Sequence, residues 1–562
     1  MEFQRSSGIL MPVFSLPSAH GIGTLGKNAL EFIDFLKKAG QKYWQMLPLT
    51  PTGCGDSPYS SYSVFAGNPY LIDLDLLVSD GLLTEEDVEG TFLGNDPDKV
   101  DYSAFHENHQ ELLRKAFANA KPELLAKIPE FCGAYGAWVE NYALYMALKK
   151  HFEDTPWVEW EDKAIRKHEP EAVKNYREKL SADVDYYIFE QYIFYKQWEK
   201  VRAYAKEQKI ELVGDIPIYV ALDSADVWAE PYFFQLDEEN VPTFVAGVPP
   251  DYFSEDGQLW GNPLYDWDKM EKDGYGWWIR RIDHASKLYD VLRIDHFRGL
   301  ASYWSVKYGA ETAKEGQWIK GPGEKFVNVL ISWFSNTKFI AEDLGLLTPD
   351  VVELLNATKL PGMRVLEFAF DPSGTSSYLP HYYERNCICY TGTHDNATAA
   401  GWLKEGNPKE VAYAKKYTGF MDAEEEKLTL SDIYALGDKK EEKETSDAAE
   451  ETSDAAEETS DAAMETSAAA EECPHEKDSP REYSQEEIKR FCFALIRAGM
   501  SSVASVFIAQ MQDYLALDNS ARINIPGTPT GNWNWKMRSG MLTDELAEEI
   551  ADMTKLYGRY YG

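Results

Sequence analysis

The chain has 562 residues, with 94 Asp plus Glu against 56 Lys plus Arg, for a formal net charge of -38. Hydrophobic residues at 44% and charged residues at 27% supply a sizeable core and exclude wholesale disorder. A polyanion of this size is repelled by phosphate backbones and anionic lipid, so neither nucleic acid nor a membrane surface is expected as a partner.

Short β-like runs recur along the chain. Gly8–Phe14 reads as a first strand. Gly26–Ala39 follows as a helix with Leu30, Ile33, Phe35 and Leu36 on one stripe and Gly40 as its stop. Tyr43–Pro48 is the second strand. From about 68 to 209 the pattern is mainly helical, and Ile188, Tyr192, Tyr195 and Trp198 fall on one helix face. Further strands are expected at Glu211–Ile216, Val291–Asp295, Phe339–Glu342, Arg364–Glu367, Ile388–Thr391 and Ser502–Ile508. Eight buried strands alternating with helical text favour a parallel sheet closed into a (β/α)8 TIM barrel, an α/β fold, over an open doubly wound sheet. The expectation is one catalytic barrel over 1–562. Helical and loop insertions at its C-terminal face would comprise a helical subdomain at 68–209 and a substrate-covering segment at 217–285.

A third insertion is compositional. Residues 445–472 carry a seven-residue repeat, Thr-Ser-Asp-Ala-Ala-Glu-Glu, starting at Thr445 and Thr452 and degrading from Thr459 onward. Between Asp438 and Asp478 there are 16 acidic and 4 basic residues, no aromatic and no Val, Ile or Leu, so the segment cannot bury enough surface to offset its ordering entropy. A solvated, disordered tether over 438–480 is expected. The six cysteines show no CxxC or CxxH spacing, and Cys387 and Cys389 read as core. No apolar run approaches the ~20 residues of a membrane span. No metal or cofactor is expected, and a reducing, cytoplasmic compartment is the simplest reading.

The informative residues are acids at strand ends. Arg293 and Asp295, two apart in Leu-Arg-Ile-Asp-His-Phe-Arg, face the same side of a strand. The arginine is expected to hold the carboxylate ionised. Glu342 ends the next strand, Asp395 follows another and Asp215 an earlier one, and in a barrel such ends converge on one mouth. Any one of these acids alone would read as a helix cap or an ion-pair partner. Together they favour two-carboxylate sugar chemistry. The pairs Asp295–His296 and His394–Asp395 raise a metal site, but neighbours in a strand point to opposite faces, so chelation by either pair is not expected. No GxGxxG, Walker loop, HExxH or GxSxG stands in a supporting context.

Longer motifs sharpen this reading. They run Ser7-Gly8-Ile9-Leu10 through Gly21-Ile22-Gly23-Thr24-Leu25-Gly26, Gly55-Asp56-Ser57-Pro58-Tyr59, and Gly67-Asn68-Pro69-Tyr70. After them come Gly214-Asp215-Ile216-Pro217, Gly247-Val248-Pro249-Pro250-Asp251-Tyr252 and Gly257-Gln258-Leu259-Trp260-Gly261-Asn262. The set closes with Arg293-Ile294-Asp295-His296-Phe297-Arg298 and Asn524-Ile525-Pro526-Gly527-Thr528. In this order and at this length they resemble the bacterial 4-α-glucanotransferases, or amylomaltases, of glycoside hydrolase family 77, over nearly everything outside roughly 421–485. The resemblance implies Asp295 as nucleophile, Glu342 as general acid/base and Asp395 as transition-state stabiliser. It implies sugar-holding roles for Arg293, His394 and His296, with Asp215 in support. Tyr59 would cover the glucose beside the cleaved bond, and Asp251, Tyr252, Gln258 and Trp260 would sit on a loop folding over the substrate. Asp371 would contact the acceptor. Cys54 stands where family members commonly carry Tyr or Phe, and the acidic repeat is not part of the family pattern.

The implied activity is cofactor-free transfer from α-1,4-glucans or malto-oligosaccharides to glucose or another glucan. Retention would require the two carboxyls to lie ~5–5.5 Å apart and Glu342 to be held protonated. An α-glucan hydrolase with the same acids and a catalytically dead glucan-binding scaffold are the alternatives.

Overall fold

The structure is a computed structural model that describes residues 2–250, 255–345, 347–420 and 482–561. Asp251, Tyr252 and the acidic repeat therefore lie outside the described residues.

Among the described residues twelve strands form two sheets. In chain order they are β1 (Ser6–Leu10), β2 (Tyr43–Gln45), β3 (Glu211–Ile216), β4 (Phe244–Val248), β5 (Gln258–Pro263) and β6 (Val291–Ile294), then β7 (Ser302–Lys307), β8 (Gly316–Lys320), β9 (Lys338–Ala341), β10 (Gly362–Val365), β11 (Cys387–Tyr390) and β12 (Val506–Gln510). Eight of them pair in parallel in the order β10-β11-β12-β1-β2-β3-β6-β9. The seam between β9 and β10 is tied by Ala341 N–H donating to Pro361 O (2.9 Å) and Met363 N–H donating to the Asp343 carboxylate (2.6 Å). Arg364 pairs with that same carboxylate at 3.1 Å. Gly362 is required there, because a Cβ would come within 2.5 Å of the Asp343 oxygen. The result is a nearly closed (β/α)8 barrel.

Side-chain alternation divides the strands into two environments. Tyr43, Val213, Val291, Ile340, Val365, Ile388 and Ile508 fill the interior. The residues between them, among them Trp44, Leu212, Leu292, Phe339, Cys389 and Phe507, pack outward against the helical shell. That shell includes Lys27–Lys38, Ser181–Glu207, Gly276–Leu288, Gly323–Trp333, Pro349–Thr358, Gln485–Ser501 and Asp544–Leu556. Among the described residues no helix is long and apolar enough to cross a membrane. Cys387 and Cys389 are buried in β11, and burial pushes both thiols up to about 12.

The second strand stops at Gln45, short of the expected Pro48, the strand expected at Arg364–Glu367 is Gly362–Val365, and three further departures have identifiable causes. The first strand is Ser6–Leu10, not Gly8–Phe14, because Pro12 cannot donate to a ladder and Val13–Ser15 forms a 3-10 turn. The last strand starts at Val506, not Ser502. The Arg559 guanidinium takes the carbonyls of Ser502 and Ala504, and only from the Ser505 carbonyl, which accepts the Ser6 N–H at 3.0 Å, does the pairing with β1 begin. The third departure is an antiparallel sheet of order β5-β4-β7-β8 inside the span read as loop and beyond it. Between β2 and β3 the chain is helical, and Ala137–His151 packs along Ser181–Glu207, where Ile188, Tyr195 and Trp198 are buried.

Candidate active site

Strand parity explains why the acids converge. Val213, Val291 and Ile340 point into the barrel, so Asp215, Arg293 and Glu342, each two residues further on, point into it one layer nearer the C-terminal mouth. Parallel register then sets Asp215 beside Arg293. Arg293 Nη1 lies 2.5 Å from Asp215 and 3.0 Å from Asp295, so one guanidinium nitrogen binds two carboxylates. The Asp215 side chain is 0% exposed while that of Asp295 is 28% exposed. Asp215 therefore acts on the site through its partners, and Asp295 opens to the mouth. The partners of Asp215 are Arg293 and the Tyr59 hydroxyl, which donates to it at 2.7 Å. The Tyr59 ring stacks on His394 with centroids 4.9 Å apart.

Glu342 is fixed by its chain neighbours and by the loop after β6. Its two carboxylate oxygens accept the N–H groups of His296 (2.7 Å) and Leu344 (2.8 Å). His296 can present its N–H there because it adopts the left-handed region (φ 49°), uncommon for a residue with a Cβ. Its ring meets Trp260 edge to face at 4.8 Å. Trp260 stands on β5, remains 37% exposed, and donates its indole N–H to Gln258 at 3.1 Å. It is not the buried anchor that would simply pin the loop.

Electrostatically the floor of the site is unusual. Burial pushes Glu342 above the ordinary carboxylate range, against the Arg293 charge and the two N–H donors. Burial also raises Asp295 well above that range, and the nearby Asp215, Glu342 and Asp395 charges add to it. The sequence expectation that Arg293 would leave Asp295 simply ionised is corrected: the arginine opposes the shift but does not cancel desolvation among several acids. The Glu342 charge is therefore one of the influences on the Asp295 titration. Burial lowers His394, and it pushes His296 down to about 3, so the His296 ring is neutral across the physiological range.

On the far side of the mouth, Asp395 lies in the loop after β11, its side chain 44% exposed. His394 Nε2 approaches its carboxylate at 3.4 Å, contrary to the expectation that neighbours diverge, because the pair sits in a loop and not a strand. Three residues to which the sequence reading gave no role shape this side. Asn524 donates its amide to Asp395 Oδ1 at 2.6 Å, Arg522 donates to the Asp395 carbonyl at 2.5 Å, and Trp533 closes on Tyr59 at 5.6 Å. Asn524 begins a quoted motif and was findable. Arg522 and Trp533 come into place only through the folded C-terminal loop. Asp371 stands apart from the cluster, exposed in the loop after β10, where its carboxylate caps the Ser373 N–H at 2.8 Å.

The arrangement offers two neighbouring carboxyl groups of raised pKa, one buried and one opening to the mouth, a cation, and aromatic walls on either side, the parts required to cleave and remake a glycosidic bond. Comparison with known proteins agrees. A family model described as 4-alpha-glucanotransferase matches residues 11–543. A 4-alpha-glucanotransferase of Clostridium butyricum is 42% identical over 98% of this chain and 100% of its own length. That of Thermus thermophilus is 40% identical over 99% of each. An amylomaltase from Streptococcus agalactiae, solved in complex with acarbose, superposes with a TM-score of 0.85 at 36% identity, covering 99% of this chain and 100% of that one. The chain belongs to the 4-alpha-glucanotransferases of glycoside hydrolase family 77.

Proposed function

We propose that the protein transfers a segment of an α-1,4-glucan or malto-oligosaccharide to the 4-hydroxyl of an acceptor glucose or glucan, in the cytoplasm, by retaining double displacement. The observation that carries this reading is the shared environment of Asp295 and Glu342 around Arg293. Burial raises both groups, and the reactive form is the one with Asp295 ionised and Glu342 protonated, in which Asp295 attacks the anomeric carbon. As the C–O bond breaks, Glu342 gives its proton to the departing 4-oxygen, leaving the non-reducing-side segment as a β-glycosyl ester on Asp295 and releasing the reducing-side fragment. The acceptor 4-hydroxyl then loses its proton to Glu342 and attacks the ester carbon, restoring the α-linkage and both carboxyl groups.

The supporting residues divide the work. Arg293 balances the negative charge on Asp295 and, through Asp215, holds Tyr59 over the sugar beside the cleaved bond. Asp395, oriented by Asn524 and flanked by His394, bonds the hydroxyls of that sugar and strengthens its grip as the ring flattens. Trp260, Gln258 and His296 form the acceptor wall, with Asp251 and Tyr252 assigned to the same covering segment and Asp371 to its outer edge. Transfer prevails over hydrolysis when that wall holds a sugar and keeps water out. Incubation with maltotriose tests the reading: longer oligosaccharides and glucose should accumulate while the number of reducing ends stays nearly constant. A reducing-end count that rises with every bond cut would identify a hydrolase instead.

A further inference from the structure

The antiparallel sheet carries a second aromatic feature outside the mouth. Across the sheet, Leu259, Gly247, Trp304 and Trp318 stand in register on β5, β4, β7 and β8. Directly opposed residues share a face, so this row lies on the side away from Tyr303 and Ile319, which pack on the main core. Trp318, on the edge strand β8, is 42% exposed.

Its ring is nevertheless held in place. Trp304 meets it edge to face at 5.3 Å, and Trp304 is itself fixed by its indole N–H donating to Ala313 O at 2.9 Å. Gly316 makes room for that indole, since a Cβ there would lie 2.5 Å from it. The Arg298 guanidinium also sits over the Trp318 ring at 4.3 Å. Arg298 belongs to the turn Phe297–Leu300 that directly follows His296, and Gly321 N–H ties the end of β8 to that turn through Ala301 O at 2.8 Å. Among the described residues the Trp318 indole N–H has no acceptor.

We infer that Trp318 is an outlying sugar-stacking platform for the part of a long α-1,4-glucan that runs past Trp260. An indole that is 42% exposed, yet pinned by a guanidinium over its ring and by a second indole inclined at 65°, offers its exposed surface at little conformational cost. The apolar face of a glucose ring fits that surface, and the unused N–H can meet a hydroxyl. Trp260, His296, Arg298 and Trp318 form an unbroken line of contacts, apart from the chain bond through Phe297, so the platform continues the acceptor wall. A glucan is the occupant that this continuity selects. The inference rests on the transferase reading.

The full-length enzyme with W318A, beside W318F, tests it with two substrates. W318A should raise the KM for amylose about three- to tenfold, as expected for losing one aromatic stack, and weaken retardation in an amylose-containing native gel. Its kcat/KM for maltotriose, which on this inference the mouth binds without the platform, should stay within about twofold. W318F should restore amylose binding. Unchanged amylose KM and retardation would overturn the inference. So would an equal fall on both substrates, which would show that Trp318 acts through Arg298 on the catalytic turn. If the wild-type enzyme failed to disproportionate maltotriose, the transferase reading would fall first, and amylose retardation would still report on the platform.

Discussion

The floor of the barrel mouth and its aromatic rim are built by opposite rules. On the floor, Asp215, Arg293 and Glu342 project from strands whose register fixes them to each other, and all three are buried. On the rim, Trp260 comes from an edge strand, is 37% exposed, and touches the floor mainly through the His296 ring. The contrast follows from what each must do. In the proposed mechanism, passing a proton between two oxygens while a carbon exchanges one oxygen partner for another requires groups held to within fractions of an ångström in a dry setting. Admitting one end of a polymer and releasing another requires a surface that opens.

The sharpest way to break the comparison is at the floor. D295N removes the attacking oxygen, so glycosyl-enzyme formation and transfer should fall to background while the thermal unfolding midpoint stays close to wild type. Near-normal turnover of the purified variant would sink the assignment. E342Q should cost roughly 10²–10⁴-fold in both half-reactions, since each needs proton transfer. Stopped-flow or quench measurements of the two steps would check this, and a defect confined to one step would contradict the acid/base role.

The charge balance of the floor gives a pH test. Burial raises Glu342, so the alkaline limb of kcat/KM reports loss of its proton at a pH above the ordinary glutamate value, and activity falls as pH rises through it. Arg293 works against that rise. R293M should therefore move the limb to higher pH, whereas R293K, which keeps the charge but loses the fork, should leave it in place while lowering the rate. A limb that moves to lower pH in R293M would show that the arginine does not act on the pair electrostatically.

Two changes sharpen the comparison by probing its boundary. N524A removes the amide held at 2.6 Å from Asp395, and losing one hydrogen bond to a carboxylate should cost roughly 10–100-fold in kcat with a smaller change in KM. W260A should act differently: total turnover falls, but hydrolysis rises relative to transfer because a poorly held acceptor competes with water at ~55 M. An unchanged ratio would mean that Trp260 only supports the loop. The smallest effect is expected from the acidic repeat. Replacing 438–478 with a short flexible linker should leave maltotriose transfer within about twofold of wild type, since that composition has no means of building either a floor or a rim.

The same contrast governs how much was legible in the sequence. Barrel strands announce themselves as apolar runs, and a carboxylate two residues past an interior valine must face the mouth, so Asp215, Arg293 and Glu342 could be placed from parity alone. The β4–β5–β7–β8 sheet was missed because Gly247, Gly257, Gly261 and the exposed residues of β8 interrupt the alternation that marks a strand. The left-handed backbone of His296, which delivers an N–H to Glu342, leaves no mark in residue type. Arg522 and Trp533 reach the site through a C-terminal loop whose path depends on tertiary packing. The direction of the Asp295 shift also escaped, because a neighbouring arginine is visible in a sequence and the depth of burial is not.

The central claim, that Asp295 carries the glycosyl group and Glu342 moves the proton, is tested most directly by trapping. E342Q incubated with α-maltotriosyl fluoride, whose leaving group needs no acid, should complete the first displacement and stall before the second for want of a base. Digestion and mass spectrometry should then find one maltotriosyl group on the peptide containing Asp295. A label on Asp395 or another residue, or fluoride release with no covalent adduct at all, would contradict the account.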